Sequence, residues 1–158
     1  LDPTFRFTVS RSIYKGVLKF LARQYSRPYV VQPLPVKDFH LRFSSRNQVE
    51  LHWEPTHDAA EPTASPTRYV VYTRVNGGGF DNGVIVESNH YSTSVREGDI
   101  YSFKVVAVNE GGKSFPSEIL SASRQNDSEK EVLIVNGFTR LAASFSFTTS
   151  EDSLACFV

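Results

Sequence analysis

Residues 100–108 read IYSFKVVAV. Tyr101, Phe103, Val105 and Ala107 alternate with Ser102 and Lys104. Successive strand side chains point to opposite faces, so this period of two predicts a half-buried β-strand. VELHW at residues 49–53 repeats the pattern, with Val49, Leu51 and Trp53 on one face and Glu50 and His52 on the other. His52 is therefore expected to point away from the core. FHLRF, RYVVYTRV, GVIVES and SEILSAS are further strand-like runs. Turn signals separate them at intervals of roughly 8 to 12 residues: Asn47, the loop from Pro55 to Pro66, Gly77 to Gly79, Asn82-Gly83, Gly98 and Gly111-Gly112. Asn82-Gly83 suits a two-residue hairpin turn, in which both central positions need positive φ. Short strands in this rhythm, with no helical period between them, predict a mainly β fold, an antiparallel sandwich or barrel.

The two ends of the chain read differently. From Val9 to Tyr25, Val9, Ile13, Val17, Phe20 and Leu21 recur at spacings of three and four, which places them on one face of an α-helix with Ser10 as the expected N-cap. Arg11, Lys15, Lys19 and Arg23 form a basic stripe on the same helix. We read it as a solvated face, because no aromatic residues interleave it as a nucleic-acid platform requires. Pro28, Pro33 and Pro35 forbid continued helix and mark an extended linker. After Gln125 the polar run NDSEKE reads as a second linker, and EVLIVNGF as a short buried strand. The expected organisation is residues 1–32 as helix and proline-containing linker, 33–125 as the β domain, and 126–158 as a C-terminal extension that is either partly disordered, docked on a neighbour, or the start of another domain.

Composition narrows the function classes. The 17 basic and 17 acidic residues cancel, so a chain-wide field that draws nucleic acid or anionic lipid is absent. Hydrophobic residues at 40% and charged residues at 22% are ordinary globular usage. No run of about twenty apolar residues is present, so no transmembrane segment is expected. Arg6, Arg11, Lys15 and Lys19 break up any signal-peptide core. The chain starts at Leu1 and has no methionine, as an excised piece of a longer protein would. Cys156 is the single cysteine, with no internal disulfide partner and no neighbouring base to make it a nucleophile.

No catalytic, cofactor or metal constellation is legible. His40, His52, His57 and His90 form no HExxH or HxH pattern. His57, Asp58 and Glu61 share one loop, which reads as solvated rather than as a metal site. Gly77 to Gly79 reads as a hairpin connection rather than a phosphate cradle, since no helix start follows. Binding remains, with Phe80 and His57 as the side chains that strand-connecting loops would present to a glycan or a protein.

Trp53 at the end of the second strand, the Tyr-x-Phe-x-Val-x-Ala-x-Asn run from Tyr101 to Asn109, and EGGKSFPSE turning into a last strand together resemble the fibronectin type III family. The resemblance implies an immunoglobulin-like antiparallel β-sandwich. Trp53 would pack between its sheets and Tyr101 would turn its hydroxyl back onto the preceding loop. Leu51, Phe103 and Val105 join these two as the expected structural core. That loop reads Val95, Arg96, Glu97, Gly98 where the family usually carries leucine, proline and glycine, and no RGD triplet is present.

The flanks carry a second resemblance. FRFTVSRSIYKGVLKFLARQ resembles the closing helix of zinc-dependent N-acetylmuramoyl-L-alanine amidases, bacterial enzymes that cut peptidoglycan. EVLIVNGFTR is similar to the opening strand of an α/β domain downstream in such envelope proteins. Together they imply an interdomain fragment of a secreted or periplasmic cell-envelope hydrolase, with the amidase metal ligands and catalytic glutamate upstream of Leu1. The chain itself is then expected to be noncatalytic, to use no cofactor, and to space or position adjacent domains. The alternative is a carbohydrate- or protein-binding module that takes cell-wall glycan or another protein on its loops. Nucleic acid is not an expected partner.

Overall fold

The structure, a computed structural model, describes residues 3–125. They divide into two units, one ending at Pro28 and the other beginning at Tyr29. Cys156, the EVLIVNGF run and the rest of the expected C-terminal extension lie outside the described residues.

The first unit holds α1, Pro3–Gln24. Ser10 therefore sits well inside the helix and does not cap it. Residues 4–9 contain neither proline nor glycine, and once a helix exists each added residue gains a hydrogen bond, so it extends past the first periodic apolar position. Its C-terminus closes as a Schellman turn: Ser26 adopts φ 49, its amide donates to Arg23 O (3.3 Å), and the Arg27 amide donates to Ala22 O (2.8 Å). Pro28 follows and ends the helical path.

The second unit is a two-sheet antiparallel sandwich. Its strands are β1 (Lys37–Ser45), β2 (Gln48–Glu54), β3 (Arg68–Val75), β4 (Val84–Val86), β5 (His90–Ser94), β6 (Ile100–Asn109), β7 (Gly112–Lys113) and β8 (Leu120–Ser123). One sheet has the order β1-β2-β5 and the other β4-β3-β6-β7, with β8 also paired to β6. The alternation read from the sequence sets which side chains meet between the sheets. Val49, Leu51 and Trp53 of β2 face Tyr69 and Val71 of β3 and Phe103, Val105 and Ala107 of β6 in one core, with Ala122, Val36 and Val95 closing it. The Trp53 and Tyr69 rings meet edge to face at 5.3 Å.

Three local features depart from the sequence reading. β5, HYSTS, carries too little apolar surface to announce a strand, yet pairing places Thr93 opposite Val49 and Tyr91 opposite Leu51. Asn82-Gly83 is not a two-residue hairpin turn. β3 stays paired with β6 as far as Val75, so the return to β4 takes residues 76–83. Asp81 closes it by accepting from the Thr73 and Gly83 amides at 2.9 and 3.0 Å. Gly83 alone of that pair has positive φ, and a Cβ there would lie 2.4 Å from Val70 Cγ1. Finally, Pro116 interrupts the last edge between β7 and β8, where the Ser114 and Ser117 hydroxyls accept the Ala107 and Val105 amides, both at 2.9 Å.

Candidate functional site

The most strongly built feature outside the core is the attachment of residues 29–36, the lead-in to β1. The sequence reading placed Val31 in a proline linker, where an extended chain would leave it in water. Instead Val31 is fully buried, as is the Pro33 side chain. The Val31 amide donates to Thr63 Oγ1 (3.1 Å) and its carbonyl accepts from Asn109 Nδ2 (2.9 Å). The same Asn109 amide group reaches Thr63 O (3.0 Å) and Ser65 O (3.3 Å), while Asn109 Oδ1 accepts from the Gly111 amide (2.8 Å). Buried Glu61 completes the clamp: one carboxylate oxygen accepts from the Tyr29 hydroxyl and the other from the Thr63 hydroxyl, both at 2.9 Å. Thr56 Oγ1 donates to Pro35 O (2.6 Å). Gly111 is required by space, since a Cβ there would lie 2.4 Å from Val30 O.

Two elements supply this clamp: the β2–β3 loop, which gives Thr56, Glu61 and Thr63, and the end of β6, which gives Asn109. Sequence reasoning missed it. Asn109 was visible only as the last letter of an alternating run, and Glu61 was read with His57 and Asp58 as part of a solvated loop. In the structure one Glu61 carboxylate oxygen holds Tyr29 of the lead-in segment and the other holds Thr63, whose Oγ1 accepts from the Val31 amide, and the loop's 3-10 turn Pro62–Ala64 buries Ala64. Exposed His57 stands outside that network. Among the described residues, no group of three histidine, cysteine, aspartate or glutamate side chains converges on a point where a metal ion would sit.

The other singled-out residues fall into two sets. Leu51, Phe103 and Val105 are fully buried and Trp53 is 1% exposed. Tyr101 is half-buried, with its hydroxyl oxygen accepting from the Arg96 amide at 3.2 Å. Phe80 lies half-buried beneath Lys104 Nζ, 4.2 Å from the ring centre, and Arg74 Cζ, 5.1 Å from it. Phe80 and His57 follow opposite ends of β3, an eight-residue strand, so roughly 23 Å of backbone separates the loops that carry them.

Two of the ion pairs on the sandwich bridge β1 and β2. Arg42 grips Glu50 Oε2 through two nitrogens at 2.8 and 3.1 Å and holds the Glu50 carboxyl below the usual range. Glu54, hydrogen-bonded to Lys37, raises the Lys37 ammonium pKa. Burial pushes the Tyr69 phenol above its ordinary value of 10.0. No helix among the described residues is long and apolar enough to cross a membrane.

The twitchin kinase region from C. elegans aligns over 77% of this chain and 20% of its own at 19% identity, with a TM-score of 0.53. Titin kinase with its flanking domains aligns over 60% of this chain and 18% of its own at 22% identity and TM-score 0.51. The rat CD45 extracellular region, domains d3-d4, aligns over 61% and 52% at 18% identity and TM-score 0.51. The chain thus spans about a fifth of the length of the two kinase-region structures. At these identities the likeness is one of fold. No curated protein matches the chain. The family model described as Fibronectin type III domain matches residues 34–123, more than half of the sequence.

Proposed function

The chain belongs to the fibronectin type III family, and we propose that it is a noncatalytic module that spaces and orients the domains of a larger protein, a secreted cell-envelope hydrolase. The observation that carries the spacing role is the clamp on residues 29–36. A flexible tether would leave those backbone groups to water. Here Val31 spends both its backbone groups on the sandwich, so whatever precedes it in the chain is delivered from a fixed point. The hydrolase parentage is supported by the resemblance of FRFTVSRSIYKGVLKFLARQ to an amidase closing helix, together with the helix that α1 forms over those residues.

Loop-mediated glycan or protein binding has less support, because Phe80 is covered by two cations and His57 lies at the other end of β3. Two experiments test the proposal. The purified chain, incubated with peptidoglycan and zinc, should release no muropeptides and should not sediment with cell-wall polymer. Hydrolysis, or binding abolished by Phe80→Ala, would replace spacing with an active or recognition role. The reading frame around this chain should encode a zinc amidase domain upstream, and an unrelated upstream domain would remove the envelope-hydrolase parentage.

A further inference from the structure

Three of the four histidines, scattered in sequence, are brought into one row by strand register. His40 of β1 pairs with His52 of β2, and His52 pairs with His90 of β5. All three point away from the core, with ring centres 5.5 Å apart for His40 and His52 and 6.1 Å for His52 and His90. A hollow of about 240 Å3 opens beside the first pair, lined by Asp38, His40, His52, Trp53, Glu54 and Asn89. A β-bulge between Lys37 and His40, with Asp38 at φ 52, turns the Asp38 carbonyl back to within 2.8 Å of His40 Nδ1.

We propose that His40 and His52 bind a divalent transition-metal ion such as Ni2+ or Zn2+, with Asp38 and Glu54 lining the same hollow and Glu50 Oε2 already 3.7 Å from His52 Nε2. The Asp38 carbonyl can only accept, so the contact fixes the proton on His40 Nδ1 and leaves the Nε2 lone pair for a metal. A backbone carbonyl holding the far nitrogen is the usual support for a metal-binding histidine. Directly opposed strand residues have Cβ atoms about 5 Å apart, close enough for two imidazoles to share one ion after rotation about their side-chain bonds. That rotation is needed: the rings stack at 14° with their nitrogens not yet converging. Lys37, 3.2 Å from Glu54 and 3.6 Å from Asp38, holds the carboxylates in the absence of metal and competes with it. His90, stacked on the other side of His52, offers a second pair that shares the same central ligand.

The test uses the full untagged chain carrying Cys156→Ser, so that no thiol competes, titrated with NiCl2. Calorimetry gives affinity and stoichiometry, and Trp53, the only tryptophan and the neighbour of His52 in the chain, gives a second readout through quenching by the bound ion. One ion per chain is expected. His52→Ala should weaken binding roughly tenfold or more, His40→Ala by less because the His52–His90 pair remains, and Lys37→Ala should strengthen it. His57→Ala should change nothing. His52→Gln repeats the test while keeping an outward polar side chain, should the alanine variant fold poorly. Absence of binding at millimolar Ni2+, undiminished binding in both His52 variants, or loss of binding in His57→Ala would overturn the proposal.

Discussion

Phe103 shows how a single side chain is committed to the fold. It is fully buried in the middle of β6, in contact with residues from both sheets, so Phe103→Ala removes apolar area and leaves a cavity that neighbouring strands cannot collapse to fill. A loss of about 3–5 kcal/mol is expected in chemical unfolding. Tyr69 adds a pH signature. Its phenol is raised in the folded state, so the stability it contributes is fully present below the unfolded value and is lost as pH rises through the folded one. Melting temperature should therefore fall above about pH 10, and Tyr69→Phe should remove part of that alkaline loss. An unchanged alkaline limb in the variant would show that another group causes it. Phe103 was legible in the sequence, because period-two alternation states which face a side chain occupies, whereas RYVVYTRV has no such alternation and the burial of Tyr69 was not. Nor was Asn109: its four contacts run to residues 31, 63, 65 and 111, and nothing local in a sequence reports such distant partners.

At the scale of elements, strands with apolar alternation were readable and those defined by their neighbours were not. β3 was read as residues 68–75, the range the structure shows. β5 is recruited by β2, and the broken β7–β8 edge depends on two serine hydroxyls standing in for ladder carbonyls. The lead-in clamp is likewise a tertiary product. It yields a sharp prediction at Gly111, where added volume meets backbone rather than a movable side chain. Gly111→Ala should displace residues 30–31 and expose the chain near Arg27 and Tyr29 to limited proteolysis, while the β2, β3 and β6 core stays protected. Asn109→Ala should act similarly and cost on the order of 2–3 kcal/mol, since it strands buried carbonyls as well as the Gly111 amide. Cleavage no faster than in the unaltered chain would mean that the clamp is dispensable.

For the molecule as a whole, the fold class was legible because turn chemistry and alternation agree along some ninety residues, the span that the family match covers. Function was less legible, because sandwiches of this kind serve many roles, and the contacts that support the proposed spacing role lie where the chain enters the domain rather than in a motif. The spacing role requires that residues 29–36 belong mechanically to the sandwich. Amide hydrogen exchange in the full chain tests it most directly. The Val31 amide should exchange as slowly as the Val105 amide at the centre of β6, opening only when the sandwich unfolds. Exchange of Val31 at the rate of an unstructured linker, with Val105 still protected, would contradict the account.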